Sequence, residues 1–163
     1  MTISIATKSQ LIIVQELTYK IWPTAYRTIL SSEQLEFMMN KFYEISYLEN
    51  QFQNGQVFLL AEENGIYYGF ASYELNCDAS NKTKIHKLYV LPETQGKGLG
   101  KLFVEKISTI AKENNNQGIF LNVNRYNIAV HFYEKIGFKK TETIDIEIGN
   151  GYLMEDYIME FLF

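Results

Sequence analysis

A mixed α/β domain is the fold class this sequence predicts, and three observations predict it. Four stretches space their apolar residues as one face of a helix, and seven others alternate or run apolar over strand lengths. Two Asn-Gly pairs, at 64–65 and 150–151, stand between strand-like runs, where they signal hairpin turns. The chain of 163 residues suits one domain, 1–163, and its 47% hydrophobic content is enough for a packed core.

The first strand is short, with Ile3 and Ile5 alternating against polar neighbours. Over residues 9–22, Leu11, Ile12, Val14, Leu17 and Ile21 fall at helical spacing, and Pro23 is expected to end that helix. Ser31 followed by Gln34 is a helix-start pattern. The helix it opens should carry Leu35, Met38, Met39, Phe42 and Tyr43 to about residue 52. Residues 56–62 and 66–75 read as two strands around Asn64-Gly65. A strand over 84–90 then passes Pro92 and enters a glycine-rich loop. Beyond it, Leu99, Leu102, Phe103, Ile107, Ile110 and Ala111 form one face of a third helix, and 118–123 is a short apolar strand. Asn127 signals a helix N-cap, with Gly137 as the matching C-terminal glycine. Two alternating strands, 141–148 and 152–163, follow around Asn150-Gly151.

Composition narrows the function classes. No charged segment followed by a long apolar run opens the chain, and no stretch approaches a membrane span, so neither a signal peptide nor a membrane protein is expected. Cys77 is the only cysteine, which excludes an intrachain disulfide and argues against a cysteine metal cluster; no metal site is read, and Cys77 is read as a small apolar residue. The formal net charge of −4 argues against nucleic-acid binding and is compatible with a cationic substrate. A cytoplasmic setting is expected.

The glycine-rich loop carries the chemistry. Gly96, Gly98 and Gly100 alternate at the passage from strand to helix, where the backbone must turn and a ligand can approach the main chain. A helix starting there points unpaired N–H groups and its positive dipole end at that ligand, which suits a phosphate. The spacing fits neither the dinucleotide Gly-x-Gly-x-x-Gly nor the P-loop. A plain turn without ligand is the alternative reading.

The spacing does match Gln/Arg-x-x-Gly-x-Gly/Ala, through Gln95, Gly98 and Gly100. A second motif, Asn-x-x-Ala-x-x-Phe-Tyr-x-x-x-Gly-Phe, is matched by Asn127, Ala129 or Val130, Phe132, Tyr133, Gly137 and Phe138, with the alanine one place off. With these motifs the chain resembles the GNAT superfamily of acetyl-CoA-dependent N-acetyltransferases, and the element order agrees over essentially the whole length. The resemblance implies an α/β (α+β) fold whose central mixed, mostly antiparallel sheet of about seven strands is flanked by four helices. It implies acetyl-CoA as cosubstrate and transfer to a primary amine, on a small molecule or a peptide, by direct attack in a ternary complex. A homodimer is compatible with it.

The resemblance also assigns residues. Gln95, Gly96, Lys97, Gly98, Leu99, Gly100 and Lys101 would take the pyrophosphate. The main chain at Leu88 and Val90 would bind pantetheine and polarise the thioester carbonyl, and Asn127 would touch the pantetheine arm. Tyr133 would protonate the departing thiolate, because a phenol stays protonated at neutral pH. Where some members carry a glutamate base, this chain has Lys84, which cannot serve. His86, two residues on and on the same strand face, is the stand-in base; ordered water and a purely structural histidine are the alternatives. Trp22, Tyr26 and Phe42 are expected at the acceptor pocket, in a region that loosely resembles bacterial polyamine or small-amine acetyltransferases. A module that binds coenzyme A without turnover is the rival reading.

Overall fold

In the computed structural model, which describes residues 1–163, the strands are β1 (Thr2–Ile5), β2 (Val57–Glu63), β3 (Ile66–Glu74), β4 (Lys82–Val90), β5 (Gly118–Asn124), β6 (Lys139–Gly149) and β7 (Tyr152–Leu162). The helices are α1 (Leu11–Ala25), α2 (Ser32–Phe42), α3 (Ile45–Gln53), α4 (Leu99–Glu113) and α5 (Ala129–Lys135). All seven strands join one sheet in the order β1-β2-β3-β4-β5-β7-β6. Only β4 and β5 run parallel; every other pair is antiparallel. The mixed, mostly antiparallel seven-stranded sheet is thus present.

Both faces of the sheet are covered, which is why β2 reads as a continuous apolar run. Leu59 and Ala61 point to a core shared with Phe103, Ile107 and Ala111 of α4 and Tyr133 of α5. Phe58 and Leu60 point the other way, to Leu11, Val14, Ile21 and Trp22 of α1, Met38 of α2 and Leu48 of α3. The period of two along a strand sorts the residues between the two layers. Asn64 and Gly65 (φ 54° and 78°) and Asn150 and Gly151 (φ 56° and 77°) make the hairpins, each with the two positive φ values of a type I′ turn.

Two helix expectations are corrected. Pro23 does not end α1, which continues to Ala25. The proline removes one N–H from the last turn, while burial of Ile21, Trp22 and Tyr26 and the Tyr26 N–H to Trp22 carbonyl bond (2.9 Å) hold that turn closed. The helix expected from Ser31 to about residue 52 is two helices, so five flank the sheet instead of four. Ser31 does accept the Gln34 N–H at 3.1 Å, as its cap position requires. The break falls at Tyr43 and Glu44. There Gln15 of α1 donates to the Tyr43 carbonyl at 2.8 Å, the Tyr43 ring is buried, and Glu44 is extended. Asn127 caps α5 through its Oδ1, which accepts the Ala129 N–H at 2.9 Å. No helix is long and apolar enough to cross a membrane.

Candidate active site

The parallel pair β4–β5 opens the site. Pairing runs from Lys82 with Gly118 to Ile85 with Leu121 and then stops. Beyond it β4 stays on β3 and β5 stays on β7, so the two strands part and a cleft of about 690 Å³ lies between them. At the parting, Ile85 faces Tyr73 and Lys87 faces Ser72, which leaves His86 as the extra residue of a β-bulge. Further along, the Leu91 N–H donates to the Tyr68 carbonyl at 2.8 Å. Antiparallel alternation then turns the N–H and C=O of Leu88 and Val90 away from β3, toward the opened side. Both residues line the cleft.

The glycine loop stands at one end of this free edge. Gly96 and Gly98 hold φ of 78° and 83°, a left-handed conformation that glycine adopts without steric cost. Gly98 is the residue before α4, and no side chain caps the helix. The N–H groups of Gly96, Gly98, Leu99, Gly100 and Lys101 have no partner within the chain. With the dipole of a 15-residue helix behind them, they fit a diphosphate. Gly100 packs so closely on α5 that an added Cβ would lie 3.2 Å from the Phe132 ring. Gln95, Gly96, Gly98, Leu99, Gly100 and Lys101 line the cleft, whereas Lys97 does not. A diphosphate-bearing cofactor with an extended amide arm matches this combination of loop donors and open strand edge.

Tyr133 faces the same space from α5, 7% exposed, between the rings of Phe132 and Phe138 at 5.0 and 5.4 Å. Its hydroxyl makes no hydrogen bond within the chain. Burial holds the phenol well above its ordinary range, so it stays protonated. Tyr26 and Tyr89 share a 3.0 Å hydroxyl–hydroxyl bond in the cleft wall, and Asn127 lies beside them. Trp22 does not reach the cleft. It is buried beneath Tyr26, Tyr43 and Tyr89, and Phe42 packs against Tyr47 outside the lining. Of the three expected acceptor residues, only Tyr26 is at the surface of the cavity.

His86 borders the cleft, but its Nε2 is 3.2 Å from Glu74 Oε1. Burial, with Lys84 and Lys87 alongside, pushes its pKa down to about 3. An imidazole so reluctant to hold a proton is a poor base. Asp156 on β7 is a carboxylate that the sequence offers only as one of six acidic residues past Lys140, any of which could attract a cationic amine. It lines the cleft while only 2% exposed, and burial raises its pKa above 3.8. The signal for it was its phase, since Asp156 stands in register with Met154 and Ile158 on the strand face that looks inward.

Known proteins resemble this chain in sequence and fold. The profile of the Acetyltransferase (GNAT) domain matches residues 27–160. A spermidine N(1)-acetyltransferase of Thermoplasma acidophilum is 28% identical over 146 residues, 86% of each chain. The L-amino acid N-acyltransferase MnaT of Escherichia coli is 30% identical over 100 residues, 60% of this chain and 58% of that protein, so the match spans less than two thirds of that relative. The crystal structure of the PaiA N-acetyltransferase of Thermoplasma acidophilum in complex with coenzyme A superposes with a TM-score of 0.81 at 27% identity, covering both chains fully. Since the matched domain takes in most of its length and the whole chain superposes on that fold, the chain belongs to the GNAT acetyltransferase family.

Proposed function

We propose that this chain moves an acetyl group from acetyl-CoA to a primary amine by direct attack within a ternary complex. The observation that carries the reading is a convergence in one cleft: the unpaired amides of Gly96, Gly98, Leu99, Gly100 and Lys101, the open β4 edge at Leu88 and Val90, and the unpartnered hydroxyl of Tyr133. When bound, acetyl-CoA supplies an activated thioester at the end of a diphosphate-bearing amide arm. The loop amides would hold the diphosphate, with Gln95 and Lys101 beside them. Leu88 and Val90 would pair with the arm as an added strand would, and Asn127 borders that track. The Val90 N–H would meet negative charge growing on the carbonyl oxygen. Tyr133 would give its proton to the departing sulfur.

Asp156 would dock the acceptor's ammonium and take its proton, directly or through water, in place of His86. A buried carboxylate in the acceptor half favours a small cationic amine, and the likeness to a spermidine acetyltransferase makes polyamines the first class to test. Lys84, in the wall where a glutamate base would stand, favours the second reading, a module that binds coenzyme A without turnover. Thiol release from acetyl-CoA, measured against polyamines, amino acids, aminoglycosides and peptide N-termini, separates the two. Release with a cationic amine supports transfer, and binding of coenzyme A with no release for any amine supports the module.

A further inference from the structure

Glu74 at the end of β3, Cys77 in the turn that follows and His86 at the β4 bulge meet in a cluster that the transfer chemistry leaves unused. One ligating atom from each lies within 4.8 Å of the other two, and His86 Nε2 stands 3.2 Å from Glu74 Oε1. A sulfur, an imidazole nitrogen and a carboxylate oxygen thus converge from three separate pieces of backbone. We propose that Glu74, Cys77 and His86 form a binding site for a divalent transition metal of the zinc class. This reading is independent of the amine and of the proposed reaction.

The donor set selects the metal class. Calcium and magnesium prefer oxygen ligands throughout, whereas thiolate with imidazole suits zinc and its neighbours. Zinc is commonly four-coordinate, so three protein ligands leave one position for water. Thiolate and carboxylate together match the charge of a dication, so nearby Lys84 would face a neutral cluster. Binding would release the thiol proton to solvent as the sulfur–metal bond forms. Ligand atoms that lie within 4.8 Å of one another would draw in to a tetrahedral spacing of roughly 3.5 Å on binding.

Access and preorganisation agree with a site. The side chains of Glu74 and His86 are 31% and 20% exposed, which gives an ion a way in, while Cys77 is 3% exposed and shielded from bulk oxidants. The turn that presents Cys77 holds Asn76, Asp78 and Ala79 at φ of 51°, 55° and 55°, the left-handed region that side chains avoid. Asn116 fastens that turn to β4. Its Oδ1 accepts from the Asn76 N–H at 3.2 Å and from the Thr83 hydroxyl at 2.8 Å, and its Nδ2 donates to Asn76 Oδ1 at 2.8 Å. A count of cysteines could not reveal the cluster, because two of its three donors are not cysteine.

The test titrates full-length, chelator-stripped protein with Co²⁺ and then Zn²⁺. One equivalent of Co²⁺ should produce a thiolate-to-metal charge-transfer band in the near ultraviolet, which Zn²⁺ displaces, and Tm should rise with free Zn²⁺. Cys77→Ser should abolish the band and weaken Zn²⁺ affinity by about tenfold or more. Glu74→Gln, at a partly exposed position, should keep the band at lower affinity. Far-ultraviolet circular dichroism reports the fold of each variant, and if Cys77→Ser does not fold, Glu74→Gln and His86→Gln decide. No saturable band in excess metal overturns the proposal. So does an affinity unchanged by these substitutions, as for an ion held on a surface residue such as His131.

Discussion

Asn122 Nδ2 stands 3.5 Å from Asp156 Oδ2, and no other side chain donates to that buried carboxylate. Burial therefore prevails over the pull of Asn122, Arg125 and Lys84 and raises the Asp156 pKa. A carboxylate with a folded pKa above its unfolded one stabilises fully below the ordinary value of 3.8, and that stability is lost as pH rises through the folded value. At neutral pH the charged group thus costs stability, which a role at the acceptor would explain. Asp156→Asn should raise Tm at pH 7, with the gain closing in acid below 3.8, while kcat/KM for the amine falls about 10²-fold. Thermal melts across pH and steady-state kinetics check both halves; unchanged turnover would remove Asp156 from the chemistry.

Tyr133→Phe should lower kcat about 10²-fold while leaving coenzyme A affinity within about twofold, because only the proton donor is lost. The ring contacts with Phe132 and Phe138 survive the change. The raised phenol pKa also sets the alkaline side. Stability held by protonated Tyr133, together with Tyr26, Tyr43 and Tyr89, is whole below pH 10 and lost as pH climbs through their folded values. Wild-type kcat should accordingly show no decline from Tyr133 below pH 10; a pH-rate profile with a limb near 8 that vanishes in Tyr133→Phe would contradict this.

What the sequence shows plainly is local, and what it conceals depends on distant partners. Asn64-Gly65 and Asn150-Gly151 announce their turns because the required positive φ belongs to those residues alone. The glycine loop is legible for the same reason. Pro23 misleads because its local veto concerns one hydrogen bond, while the layer of Ile21, Trp22 and Tyr26 beneath it is tertiary. The break at Tyr43 rests on Gln15, which lies 28 residues earlier. The bulge at His86 is a mismatch of register between β3 and β4 and cannot be seen in either strand by itself. Asp156 was visible only as a charge in an apolar phase, and it was obscured by the exposed acidic residues around it.

Gly98→Val isolates the loop. An added Cβ there meets nothing within 4 Å, so the penalty comes from φ of 83° and not from crowding. Left-handed strain costs about 1–2 kcal/mol, and a β-branched side chain tolerates it least. The backbone can relieve it by turning the amides of Gly98 and Leu99 out of line. The expected result is a coenzyme A Kd raised about tenfold by calorimetry, with a modest loss in Tm. Normal affinity would count against the loop as the diphosphate site.

Trp22→Phe tests whether the indole serves the acceptor or the core. Trp22 is 4% exposed, packs on Tyr26, Tyr43 and Tyr89 at 4.8, 5.1 and 5.5 Å, and leaves its Nε1 without a partner. Replacement loses packed volume, and truncating a buried Trp to Ala costs about 3–5 kcal/mol. Phenylalanine keeps one ring and removes the unpaired N–H, whose burial carries a penalty of about 1–3 kcal/mol. The two effects oppose each other, so denaturant melts should show a net loss of only about 1 kcal/mol. Because Trp22 lies beneath the wall of the cleft, KM for the amine should stay within about twofold of wild type. A tenfold rise in KM without a stability change would move the indole into the acceptor site.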